Sequence, residues 1–191
     1  MIAFLYNNST LWIIRVVGVF LLVAYLVIYQ DFTFSLTWAL LQVAIVLGIA
    51  TGIASLGIPR FIPSLNRYYV PRKMRASGTA ASGTDEATYQ KREAYMKSLF
   101  DKKTVAFLAA EDGLVGVPVL LAGITPWSAV IAGIVFGGLQ LPRYTYLECL
   151  IKGATYILIC MLVLPNGILT VVAGHYLTDG LIWLGFKHRK L

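Results

Sequence analysis

Six long apolar runs, separated mostly by very short polar turns, constrain this chain more than any other feature. They lie at about Thr10–Tyr29, Phe34–Leu56, Val105–Ile124, Trp127–Leu141, Tyr146–Leu164 and Gly167–Phe186. A membrane-spanning helix needs about 20 mostly apolar residues. In lipid such a segment must satisfy its own backbone polar groups, which a helix does. The predicted fold class is therefore all-α: a polytopic membrane protein with about six transmembrane helices in a bundle. Hydrophobic residues make up 58% of the chain and charged residues only 13%, against about 25% charged in a typical soluble domain. That excludes an ordinary soluble globule and a disordered chain. The first run has no basic stretch ahead of it and reads as a span, not a cleavable signal peptide.

Gln30-Asp31, Thr125-Pro126, Leu141-Pro142-Arg143 and Pro165-Asn166-Gly167 punctuate the runs, and turns this short predict antiparallel neighbours. The one long connection divides the chain into three parts. Residues 1–58 form a two-helix hairpin, residues 59–104 a basic loop, and residues 105–191 a four-helix core. The loop holds ten of the sixteen Lys and Arg residues, so the positive-inside rule places it in the cytoplasm. Arg143 and the basic tail then fall on the same side, and both termini are cytoplasmic. The charge therefore belongs to membrane topology and not to nucleic-acid binding.

Within the loop, residues 76–84 are small and polar and read as a flexible tether. Tyr95, Leu99 and Phe100 follow at near-helical spacing among lysines and arginines, which predicts an amphipathic helix at the interface. Before the tether, Arg60, Arg67, Arg72 and Lys73 stand beside aromatic residues. They are candidate contacts for membrane lipid headgroups or a partner protein; a solvated loop that only sets topology is the plainer alternative. Cys149 and Cys160 lie about 16 Å apart along one helix, too far for a disulfide, and read as packing thiols.

Ionisable groups at membrane depth are costly and point to function. Glu148 and Lys152, spaced i, i+4, read as a local ion pair, and Arg15 as a headgroup anchor. Glu111 and Asp112 sit inside the third run, Gln140 ends the fourth, and His175 and Asp179 share one face of the sixth. All five fall in the inner half of the bilayer, which predicts one shared polar pocket open to the cytoplasm. A desolvated carboxyl can act as a general base toward water, and Asp179 one turn from His175 can orient its ring. A buried network that only holds helices together is the alternative. The spacing matches no metal motif, and no cofactor is indicated.

The order of these pieces resembles the CPBP family, the CAAX-processing and bacteriocin-immunity intramembrane proteases. Its EExxxR, FxxxH and HxxxN/D motifs match Glu111-Asp112-Gly113-Leu114-Val115-Gly116, Phe136-Gly137-Gly138-Leu139-Gln140 and His175-Tyr176-Leu177-Thr178-Asp179. The resemblance implies a bacterial inner-membrane protein in which Glu111 activates water, with His175, Asp179 and Gln140 around it and Asp112 in support. The chain departs from the motifs at three positions, the mildest being Asp112 in place of the second Glu. Gly116 stands where the family has Arg and cannot pair a carboxylate. Gln140 stands where it has His and cannot carry a proton. Three readings follow: a scaffold, regulator or complex subunit that has lost proteolysis; an atypical glutamate-dependent endopeptidase; or an unrelated six-helix membrane subunit or transporter binding lipid or pigment. For the first, Gly133, Gly137 and Gly138 offer a small-residue face for a partner helix, or for Gly113 and Gly116 of the same chain.

Overall fold

In the computed structural model, residues 8–56, 102–141 and 146–188 are described. They form six α-helices in chain order: α1 Asn8–Tyr29, α2 Leu36–Ser55, α3 Lys102–Ala122, α4 Pro126–Gln140, α5 Tyr146–Leu162 and α6 Ile168–His188. There is no β-strand among the described residues. The expected basic-loop contacts Arg60, Arg67, Arg72, Lys73, Tyr95, Leu99 and Phe100, and the proposed tether and amphipathic helix, lie outside them.

Among the described residues one helix, α2, is long and apolar enough over Leu36–Ile53 to cross a membrane. Ile13–Tyr29, Pro126–Gln140 and Ile168–Ile182 are shorter apolar stretches.

The helix ends follow local chemistry. Gly123 takes a positive φ of 86° after α3. Thr125 then caps α4: its hydroxyl accepts the Ser128 N–H, the Ser128 hydroxyl accepts the Thr125 N–H, and Pro126 opens the first turn. That reciprocal capping satisfies donors that a helix start leaves open. Between α5 and α6, a 3-10 turn over Leu164–Asn166 leads into Gly167 at φ 99°. A side chain at Gly167 would also strike the Thr33 carbonyl.

The short turn between α1 and α2 does not make them close packing partners, as the sequence suggests. Instead α1 packs mainly on α3, and α2 mainly on α6. The reason lies in the backbones. A Cβ at Gly18 would run into the Ala110 carbonyl, and one at Gly113 into the Gly18 carbonyl, so α1 and α3 touch main chain to main chain. Small residues permit that approach, which gains dispersion contacts between helices. The link between α1 and α2 is instead tied to the far end of the chain, where the Ser35 N–H donates to Thr170 Oγ1 at 2.9 Å.

Helices α4 and α5 form the other close pair. Cβ atoms at Gly133 and Gly153 would each lie 2.6 Å from the other's carbonyl oxygen, and one at Gly137 would lie 2.6 Å from that of Cys149. Gly133 and Gly137 thus serve internal packing. Gly113 and Gly116 are not their complement: Gly113 faces α1, and Gly116 faces Ile168 of α6. A Cβ at Gly138 would meet nothing within 4 Å. The apolar core runs through α3, α4, α5 and the start of α6, with Val117, Ala129, Cys160, Val163, Ile168 and Val171 buried in it. Both cysteines are buried, and neither forms a disulfide.

Candidate functional site

The polar residues of α3 enter this core at its centre. Consecutive residues on a helix point about 100° apart, so Glu111 and Asp112 face different neighbours. Glu111, 8% exposed, accepts a hydrogen bond from Gln140 Nε2 at 2.9 Å, across to the last turn of α4. Asp112 has no exposed surface and turns toward α5 and α6. Its Oδ2 lies 3.1 Å from His175 Nδ1, and its Oδ1 accepts from the Tyr156 hydroxyl at 3.5 Å, a long contact.

The partner of the His175 ring is therefore Asp112 and not Asp179. The i, i+4 spacing does put His175 and Asp179 on one face, but Nε2 and Oδ2 stand 4.0 Å apart, beyond hydrogen-bond length. An acceptor at Nδ1 selects the tautomer that carries its proton there. Nε2 is left on the Asp179 side. Phe136 wedges in beside this group, stacked on Tyr156 with centroids 4.2 Å apart and edge-on to His175 at 6.2 Å.

The single pocket expected from the sequence is thus divided. One part is the Glu111–Gln140 pair between α3 and α4. The other is the Asp112–His175–Tyr156 cluster between α3, α5 and α6, beside a cavity of about 180 Å³ whose walls include His175, Asp179 and Lys152 but not Glu111. Glu148 is buried near the start of α5. Gly116, at the motif's Arg position, lies in the packed core. A Cβ there would sit 2.6 Å from Ile168 Cδ1 and 3.5 Å from the Tyr156 hydroxyl. A shift of the Ile168 tip would admit a methyl group, whereas an arginine stem would have to displace Ile168, which is fully buried.

Two residues of this region were not singled out by sequence reasoning. Tyr156 lies one turn after Lys152 on the same face of α5, a spacing that could have revealed it. Gln42 is an isolated amide in the apolar run of α2. It is 3% exposed, and its Nε2 donates to the Val171 carbonyl of α6 at 3.2 Å. Among the described residues, no three His, Cys, Asp or Glu side chains converge as a metal-ligand set. No protein-family model, curated protein or solved structure matches the chain.

Proposed function

We propose that this chain is a polytopic integral membrane protein of CPBP-like architecture that acts as a scaffold, regulator or complex subunit and does not hydrolyse peptides. The membrane reading is supported by an inverted distribution of side chains. Large apolar groups face outward, with Phe20 70% and Leu150 69% exposed, while Glu111, Asp112, Gln140 and Glu148 are buried. Water would penalise that arrangement and lipid favours it. With six spans, the positive-inside rule puts residues 59–104 and both termini in the cytoplasm, in contact with anionic lipid.

The observation that carries the loss of proteolysis is that Glu111 and His175 are each held by a different side chain, Gln140 and Asp112. Water activation by a glutamate with histidine support needs both groups on one water-accessible space. Here Gln140 occupies Glu111, Asp112 occupies His175, and the cavity at His175 is not lined by Glu111.

The test is purification from the native membrane in mild detergent, identification of co-purifying proteins, and incubation with prenylated and unprenylated peptides. The expected result is stoichiometric co-purification with a larger assembly and no cleavage. Cleavage abolished by Glu111→Gln, from a protein that purifies alone, would overturn the proposal in favour of an atypical endopeptidase.

A further inference from the structure

The cavity beside His175 is lined by α2, α5 and α6, with Phe136 of α4 at one side. Its lining on α2 runs from Gln42 to Ala50, which is roughly 12 Å along the helix axis. Gln42, Ile159 and His175 stand toward one end; Ala50, Lys152 and Ile182 stand toward the other, where α2 leads out to residues 57–101.

Size limits the occupant. Pockets for drug-sized ligands or cofactors run to about 300–1,000 Å³, and this cavity measures about 180 Å³. Water takes about 30 Å³ per molecule, so about six waters fit. The walls also suit water, which needs two to four polar partners. The Thr155 and Thr178 hydroxyls donate to the Ile151 and Gly174 carbonyls within their own helices, so each keeps its lone pairs for another donor. Asp179 adds a carboxylate.

Asp112 is sealed from this space, and the His175 ring stands between them. Nδ1 lies 3.1 Å from Asp112 Oδ2, Nε2 lies on the Asp179 side, and the His175 side chain is 17% exposed against 1% for Asp112. We propose that the cavity is a water-filled inlet and that His175 relays protons between it and Asp112. A proton from water adds at Nε2, and the Nδ1 proton passes to Asp112 Oδ2. The carboxyl gains one proton, the water loses one, and the ring changes tautomer; the reverse transfer resets it. Besides Asp112, the ionisable groups around the ring are Glu111 from α3, Tyr156 and Lys152 from α5, and Asp179 and Tyr176 from α6. The facing residues of α2 and α4, Gln42 and Phe136, are uncharged. This relay rests on geometry alone and stands whether or not the chain cleaves peptides.

The test is infrared spectroscopy of the full chain in lipid nanodiscs, with Asp112→Asn identifying the protonated-carboxyl band of Asp112. The readout is the rate at which that band shifts after transfer to D₂O over a pH series. Removing the relay with His175→Phe should slow exchange on the order of 100-fold, the lower range of proton-transfer catalysis. Ala50→Phe, which narrows the inlet and leaves the Asp112 contacts intact, should slow it in the same direction and serves if His175→Phe fails to fold. Exchange at the wild-type rate in the folded variants would overturn the proposal. So would the absence of an Asp112-dependent band at every pH where the protein stays folded.

Discussion

Gly153→Ala tests the contact that joins α4 to α5. The new Cβ would lie 2.6 Å from the Gly133 carbonyl oxygen, with the Gly133 carbonyl carbon at 3.4 Å and Gly137 Cα at 3.8 Å. Carbon–oxygen contacts between packed helices settle at about 3.3–3.6 Å, so the helices must separate by about 0.7–1.0 Å. The obstructing atoms are backbone and cannot rotate away. Overpacking of this kind costs about 1–3 kcal/mol, offset by up to about 1 kcal/mol because alanine is the better helix former. The net expectation is a loss of up to about 2 kcal/mol. Gly48→Ala isolates the contact. Gly48 lies within α2, and a Cβ there meets nothing within 4 Å, so this substitution should raise stability by up to about 1 kcal/mol. Reversible unfolding in mixed micelles, followed by circular dichroism, gives both values. The difference between the two variants should be about 1–3 kcal/mol. If they unfold at the same denaturant concentration, the main-chain approach of α4 and α5 is wrong.

Two further outcomes concern the turns. Hydrogen bonds from Thr33 and Tyr25 hold the Asp31 carboxyl below its ordinary value of 3.8. A lowered folded-state value stabilises the fold above the unfolded value and loses that stabilisation as pH falls through the folded one. The stability advantage of wild type over Asp31→Asn should therefore be full near neutral pH and shrink below about pH 3.8; a pH-independent difference in unfolding free energy would refute it. Thr125→Ala removes the cap of α4 and should cost about 0.5–2 kcal/mol, read in the same unfolding assay, with no loss for Thr51→Ala on the exposed face of α2.

The helices themselves were legible because their determinants are local. Apolar runs, Thr125-Pro126 and Pro165-Asn166-Gly167 put the six elements within about three residues of their observed ends. The polar residues of α3 and α6 were legible as candidates for the same reason: a carboxylate or an imidazole in an apolar run stands out without knowledge of its neighbours. Their partners were not legible. Sequence spacing pairs His175 with Asp179, yet Asp112 from a helix 63 positions away in the chain takes the ring. Glu111 and Asp112 look like a pair, yet the turn of α3 sends them to different helices. Gly113 looks like a match for Gly133, yet it lies against Gly18.

By itself, then, the sequence determined where the helices of the described residues begin and end, and that α3, α4, α5 and α6 carry polar groups in apolar runs. Only the tertiary structure decided that α1 docks on α3, that α2 docks on α6, and that Gln140 bonds Glu111 while Asp112 holds His175. Helix formation depends on residues a few positions apart. Helix pairing depends on which faces come within van der Waals reach after the chain has folded back, and a hydrogen bond between α3 and α6 exists only once that pairing is made.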